Sequence, residues 1–148
     1  MVAENIVLSI KPRYSKLIFS GAKTVELRRT WPAHDIRRVV VYESAPTKEV
    51  VGIFDVTQIV RTDIMRLYVR VAVGTCIGNP SFLKYFHGLE YGYGICISNA
   101  VRFSTGISTD ELSKLLGAFL APQQWRYIFN DELDKLYDYS KEKECCCQ

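Results

Sequence analysis

The order of strand-like segments restricts the fold of this chain more than any other feature. Five segments have the length and the apolar or alternating pattern of β-strands, at residues 5–10, 23–29, 38–44, 50–60 and 93–103. Several of them follow one another without a helical segment between them. Parallel βαβ units need such crossover helices, so the sequence predicts an α+β fold, either a sheet or a small barrel with helices covering one end.

Two helices have clear boundary signals in the sequence. Pro12 suits the first turn of a helix, and Gly21 stands where a glycine would end it. Ser108 and Glu111 have the spacing of a capping box ahead of an amphipathic apolar pattern. We therefore expect a short helix after the first strand and a second helix after residue 108.

Other segments are harder to assign. Residues 62–73 fit either a helix or a strand, and residues 81–86 fit a helical turn. Pro122 is predicted to open a last helical segment through four apolar residues, Trp125, Ile128, Phe129 and Leu136.

Length and composition bound the domain organisation. A chain of 148 residues has room for one domain, which we place at residues 1–140, followed by a flexible cysteine-containing tail at residues 141–148. Runs of 18 apolar residues and a secretory signal pattern are both missing, so we expect a cytoplasmic protein with no membrane association.

Neither the two histidines nor the five cysteines have metal-ligand spacing, so no metal or cofactor is predicted. Cys76 and Cys96 are predicted to be buried thiols.

Basic residues concentrate in the first third of the chain. Residues 11–38 contain eight Lys and Arg residues against Glu26 and Asp35, although the net charge of the whole chain is only +3. Such a segment is compatible with phosphate binding, and equally with a solvated surface.

The strongest candidate site lies at residues 21–28. On a strand that begins near Lys23, the side chains of Thr24, Glu26 and Arg28 share one face, with neighbours about 6.5–7 Å apart. A hydroxyl, a carboxylate, a guanidinium and an amine together can read the edge of a nucleobase or move a proton. The alternative is an outward sheet face with an ordinary Glu–Arg ion pair, which contributes little stability.

Longer patterns carry a family resemblance. With L-S-I-K-P-x-Y at residues 8–14 and I-x-S-G-x-K-T-V-E-L-R-R at residues 18–29, the chain resembles the ASCH domain family of the PUA-like group. Weaker matches follow at residues 41–46, 50–54, 93–103 and 121–127, so the resemblance covers roughly residues 5–128. It implies a small PUA-like β-barrel with flanking helices, and a cleft lined by the G-x-K-T-x-E-x-R strand.

The resemblance also implies a ligand, which is RNA or a modified nucleoside. The side chains carried over to that cleft belong to Lys11, Lys23, Thr24, Glu26 and Arg28. Aromatic side chains near matched segments are further candidates for base stacking, namely Tyr14, Trp31, Tyr42 and Trp125. A related branch hydrolyses an acylated cytidine with a lysine, a threonine and a glutamate. Lys23 matches that lysine, but Glu26 stands where the threonine would be, so that activity is not predicted.

The sequence is compatible with three functions. The first is an RNA- or nucleotide-binding domain in RNA metabolism or translation-linked regulation. The second is a hydrolase of RNA or of a modified nucleoside, in which Lys23 stabilises transition-state charge and Glu26 is the general acid or base. The third is a protein-interaction module with a vestigial cleft. The sequence leaves the oligomeric state open.

Overall fold

The computed structural model describes residues 4–146, which form six strands and five helices. The strands are β1 Asn5–Ile10, β2 Val25–Arg28, β3 Arg38–Glu43, β4 Glu49–Asp63, β5 Tyr91–Ser108 and β6 Trp125–Ile128. The helices are α1 Pro12–Ser20, α2 Ile64–Thr75, α3 Asn79–Tyr85, α4 Thr109–Leu116 and α5 Asn130–Cys146. None of these helices is both long and apolar enough to cross a membrane.

All six described strands belong to one sheet, in the order β2-β5-β4-β3-β1-β6. Only the β1–β3 pair is parallel, and the other four neighbouring pairs are antiparallel. This confirms the α+β class. The barrel is not confirmed, because β2 and β6 are the two edges of this sheet and do not pair with each other.

The sheet is nevertheless bent, so that its two edges come close. β4 and β5 are long strands whose pairing shifts register at three places, and such bulges increase twist and bend a strand. Arg28 at the end of β2 reaches the backbone oxygen of Ser9 in β1, with Nη1 3.4 Å from it. Thr30 donates a hydrogen bond of 2.6 Å to Gln124, which precedes β6. We call this line of contacts between the edges, at Ser9, Arg28, Thr30 and Gln124, the seam.

Apolar side chains fill both faces of the sheet. On β1, Val7 packs in the core beneath α4 and α5, whereas Ile6 and Leu8 point to the opposite face, where α1 packs. A third cluster lies under α2 and α3 and receives Val25 and Leu27 from β2. The apolar side of β2 is thus covered by helices, and its polar side turns toward the seam and α1.

The segment after Pro122 differs from its prediction. Residues 125–128 form strand β6, paired antiparallel with β1 from Leu8↔Trp125 to Asn5↔Ile128, and the last helix begins only at Asn130. The open edge of β1 offers backbone hydrogen bonds to this segment, and that tertiary partner outweighs the local helical spacing. The ambiguous residues 62–73 divide between the end of β4 and helix α2.

The cysteines also differ from their prediction. Cys76 is exposed, because it caps the C-terminus of α2 in the left-handed conformation, where the chain turns at the surface. Cys96 is only partly buried. The predicted boundary at residue 140 falls inside α5, which continues to Cys146, while Cys147 and Gln148 lie outside the described residues. Among residues 4–146 no group of three or more His, Cys, Asp and Glu side chains is placed to hold a metal ion.

Candidate functional site

Three of the predicted site residues come together on the polar side of β2. The Lys23 ammonium lies 3.7 Å from Oε2 of Glu26, and the Arg28 guanidinium lies 3.7 Å from Oε1 of the same carboxylate. Glu26 therefore lies between two cations, Arg28 on the same strand and Lys23 just before that strand begins. Alternation along β2 puts Glu26 and Arg28 opposite Val25 and Leu27, which enter the core under α2.

Lys23 is almost completely buried, with 1% of its side chain exposed. Its Nζ donates a hydrogen bond of 2.7 Å to the backbone oxygen of Thr75, the last residue of α2. The C-terminus of a helix carries partial negative charge, and the last turn of α2 has no basic residue of its own. Lys23 thus neutralises the end of α2 while it faces Glu26. Its ammonium group is thus engaged inside the protein, with the end of α2 on one side and Glu26 on the other.

Glu26 is the group with the most unusual environment. Its side chain is 9% exposed, and Oε2 has no hydrogen-bond partner among the described residues. Burial raises the pKa of Glu26, and the nearby Lys23 and Arg28 oppose this effect only in part. A buried carboxylate oxygen without a hydrogen-bond donor is uncommon in a folded protein, and it marks Glu26 as a candidate functional group.

Arg28 links this carboxylate to the surface. Its guanidinium contacts both Glu26 and the Ser9 backbone oxygen, and 14% of its side chain is exposed at the seam. An arginine in this position can pair with a phosphate while it stays close to Glu26. Of the three clustered residues, Arg28 is the most accessible.

Helix α1 covers the cluster from one side. The Tyr14 ring lies 5.2 Å from the Lys23 ammonium, and its other neighbour is the Arg13 guanidinium, 4.5 Å from the ring centre. Lys11, the N-cap residue of α1, is exposed and makes no side-chain hydrogen bond or ion pair within residues 4–146. Lys11 follows Ser9 of the seam by two residues and Arg13 stacks on Tyr14, so both add exposed positive charge near the start of α1.

Thr24 faces a different space from Glu26. Together with Lys23 it lines a cavity of about 270 Å³ between the end of α1 and β5. The other lining residues are Ile18, Phe19, Ser20, Gly21, Ile97, Ser98, Asn99 and Ala100. The site thus has two sides, the seam with Glu26 and Arg28, and this cavity with Thr24, and the buried Lys23 lies between them.

Tyr42 does not join these residues. It is buried in the core with Val7 and packs against Phe119, with ring centres 5.9 Å apart, on the face covered by α4 and α5. The pattern that suggested it, an aromatic residue near a matched segment, does not distinguish a core ring from a ligand-binding one. Trp31 is also buried, whereas Tyr14 and Trp125 are partly exposed.

The structure reveals a second buried carboxylate that sequence reasoning did not select. Glu43 at the end of β3 accepts hydrogen bonds from Ser15 of α1 and from Thr47, and Arg102 lies 3.6 Å from it. Both oxygens of Glu43 have partners, in contrast to Glu26. This cluster fastens α1 to the sheet, and the only signal for it in the sequence is a glutamate within an apolar strand.

A larger open cavity of about 770 Å³ lies at the other end of β1 and β3. Its charged lining residues have both signs, namely Glu4, Asp35, Arg37, Arg38 and Asp55. Part of this charge is already compensated, since Arg38 and Asp55 form an ion pair of 3.3 Å. None of the clustered site residues lines this cavity.

Comparison with known proteins decides the family. The model of the ASCH domain family matches residues 8–145, which include every element from α1 to β6. The chain belongs to the ASCH domain family. This confirms the resemblance drawn from residues 8–14 and 18–29.

Individual relatives support the family assignment. Over 139 residues the chain is 28% identical to an ASCH domain-containing ribonuclease of Zymomonas mobilis, and the match covers 93% of each protein. The crystal structure of ASCH from Zymomonas mobilis superposes with a TM-score of 0.84 at 28% identity, over 91% of this chain and 94% of that one. A weaker similarity, 24% over 126 residues, joins the chain to large ribosomal subunit protein uL22 of Ureaplasma parvum, of which it spans 39%.

The arrangement around Glu26 has the chemical features of an acid–base site beside cationic groups. It combines a buried carboxylate oxygen that lacks a hydrogen-bond donor with two cations, Lys23 and Arg28, each 3.7 Å from that carboxylate. This combination suits a reaction in which a hydroxyl loses a proton while charge develops on a neighbouring phosphate.

Proposed function

We propose that this protein binds RNA at the seam and cleaves it there, with Glu26 as the general base. The observation that carries the proposal is the Glu26 carboxylate, which is nine-tenths buried, lacks a hydrogen-bond partner at Oε2 among the described residues, and lies 3.7 Å from both Lys23 and Arg28. The relative named as a ribonuclease, which matches this chain over 93% of its length, supports the choice of RNA as substrate.

The reaction uses the ribose 2′-hydroxyl of the substrate. Ionised Glu26 takes the proton of that hydroxyl, and the 2′-oxygen attacks the adjacent phosphorus. The bond from phosphorus to the leaving 5′-oxygen breaks, that oxygen takes a proton from water, and a cyclic phosphate is left on the other fragment. Arg28 stabilises the extra negative charge on the phosphorus oxygens. Because burial raises the pKa of Glu26, its ionised form is a stronger base than an exposed glutamate.

Binding without cleavage is the second candidate. The exposed basic side chains of Lys11 and Arg13, near the start of α1, fit a phosphate backbone whether or not a bond is broken. In either case we propose that the bent sheet is an open form of the PUA-like barrel, in which β2 and β6 approach each other without pairing. We also propose that the protein acts in RNA metabolism or translation-linked regulation. The similarity to a ribosomal protein supports the translation link.

A cleavage assay tests the proposal. End-labelled single-stranded RNA is incubated with the wild type, with Glu26→Gln, and with Glu90→Gln as a matched control at an exposed glutamate. We expect Glu26→Gln to lower the cleavage rate about 100- to 10,000-fold. It should still bind RNA whose 2′-hydroxyls are methylated, and Glu90→Gln should cleave like the wild type. The product should carry a cyclic phosphate.

Each other outcome has a definite meaning. Equal cleavage by the wild type and Glu26→Gln would show that Glu26 is not the base. Salt-sensitive binding that leaves the RNA intact would establish the second candidate in place of the first. If no RNA is bound even at low salt, both candidates are wrong.

A further inference from the structure

The outer face of α2 carries a row of exposed apolar side chains. Met65, Val69 and Val73 follow each other at intervals of four residues, and their exposed fractions are 64%, 80% and 97%. On a helix this spacing places them side by side along about 12 Å. We call these three residues the outer row of α2.

An exposed row of this kind is unusual because α2 already has a buried apolar face. Leu67, Val71 and Thr75 point inward to the cluster beneath the helix. A helix that is apolar on two opposite faces is typical of one buried on both. Within residues 4–146 nothing covers the outer row, so the second face is free to bind another molecule.

Charge indicates what kind of molecule fits this face. Arg66 and Arg70 flank the outer row on one side, both are exposed, and no residue of α2 is acidic. The carboxylate that faces the arginines is the N-cap residue Asp63, which pairs with Arg66 at 3.4 Å and leaves Arg70 without an ion pair in the described chain. A complementary surface therefore combines apolar side chains with acidic ones.

We infer that the outer row of α2 binds an amphipathic, acidic helical segment of a partner protein. A second α2 packed antiparallel on the first would bring Arg66 of one copy toward Arg70 of the other, which like charges oppose. RNA would use the two arginines but gain nothing from three aliphatic side chains. A lipid surface is favoured by interfacial Trp, Phe and Leu, and the outer row has none of these.

This surface is separate from the site at the seam but physically connected to it. Thr75, whose backbone oxygen accepts the Lys23 hydrogen bond, is the last residue of the same helix. The inference goes beyond the proposed function, because it concerns a different face and does not depend on RNA cleavage.

The test begins with a library of random peptides of about 20 residues, long enough to form a helix on binding. The library is displayed on phage, selected on the full-length wild type, and depleted on the variant Val69→Glu. The affinities of enriched peptides are then measured by fluorescence anisotropy for the wild type, for Val69→Glu, and for Leu120→Glu. Leu120 is a matched control, since it is an exposed apolar residue outside α2. Circular dichroism checks that each variant is folded.

We expect enriched peptides to be net acidic, with apolar residues at helical spacing. Their affinity should fall at least about tenfold in Val69→Glu and in the double variant Arg66→Glu/Arg70→Glu, and should be unchanged in Leu120→Glu. Enrichment of peptides without acidic residues, or none above the depleted background, would overturn the inference.

The same variants also show whether a different kind of molecule binds the outer row of α2. Self-association of the wild type that Val69→Glu abolishes would assign the face to a second copy of the chain. Binding to vesicles containing anionic phospholipid that Val69→Glu abolishes would assign it to a membrane surface. RNA affinity that falls more in Val69→Glu than in Leu120→Glu would assign it to the RNA. Each of these results would contradict binding of an acidic helical segment of another protein.

Discussion

At the scale of single residues, Glu26 is the centre of the account. A carboxylate this buried is normally paired closely, and the fully hydrogen-bonded Glu43 shows what a purely structural glutamate looks like in the same protein. Glu26 instead has an oxygen, Oε2, that no hydrogen-bond donor among the described residues reaches, and its carboxylate lies 3.7 Å from each of two cations. This contrast between two buried glutamates supports a chemical role for Glu26.

The stability of the protein should depend on pH through Glu26. Its pKa is raised above the ordinary value of 4.5 by burial, so the folded protein holds this proton more tightly than the unfolded chain. Unfolding between the two pKa values therefore releases a proton, and the free energy of unfolding falls as the pH rises through that window. Each unit between the two pKa values changes it by about 1.4 kcal/mol.

Urea denaturation of the wild type and of Glu26→Gln, from about pH 5 to about pH 8, measures this effect. Since glutamine does not titrate, we expect the wild type to lose stability relative to Glu26→Gln as the pH rises. The exposed control Glu90→Gln should follow the wild type. A constant difference, or one that moves in the opposite direction, would show that the pKa of Glu26 is not raised.

At the scale of elements, the position of α1 depends on close packing against the sheet. A Cβ atom on Gly52 in β4 would lie 2.7 Å from ring atoms of Phe19 in α1, and 2.3 Å from the backbone oxygen of Val101 in β5. Only a glycine allows α1 to approach this closely. The same helix holds Tyr14 over the buried Lys23.

The substitution Gly52→Ala should therefore destabilise the protein by about 1–3 kcal/mol, because Phe19 of α1 and the Val101 carbonyl of β5 must both move away from the new Cβ atom. Gly78→Ala is the comparison, since its Cβ would meet no atom within 4 Å. As a change at the N-cap of α3, it should cost less than about 1 kcal/mol. Urea denaturation measures both, and equal effects would show that the contact with Phe19 does not limit the approach of α1.

Sequence patterns predicted the elements whose signals are local. The Pro12 and Gly21 signals marked α1 correctly, and the capping box at Ser108 and Glu111 is present in α4. Residues 125–128 were assigned wrongly, because their strand conformation depends on pairing with β1, which no local pattern records. Long-range pairing of this kind is the part of the fold that sequence reasoning misses.

At the scale of the whole molecule, contacts between distant parts of the chain also limit what the sequence predicts about the site. Strand alternation predicted that Thr24, Glu26 and Arg28 share a face. Glu26 and Arg28 lie close together, whereas Thr24, which precedes β2, lines the cavity beside α1. Alternation did not predict that Lys23 is buried under the end of α2, since the two segments are 52 residues apart. Nor did it show that Tyr42 belongs to the core. The bend that brings the edges together at the seam arises from bulges in β4 and β5, which have no clear sequence signature.

Nuclear magnetic resonance offers the most direct test of the seam as the RNA-binding site. A short RNA with methylated 2′-hydroxyls, which cannot be cleaved, is titrated into isotope-labelled protein at low salt. We predict that the largest chemical-shift changes occur at residues 11–14 and 23–29 and weaken as salt is added. Changes confined to the cavity around Arg37 and Asp55 or to α2, or none at all, would contradict the account.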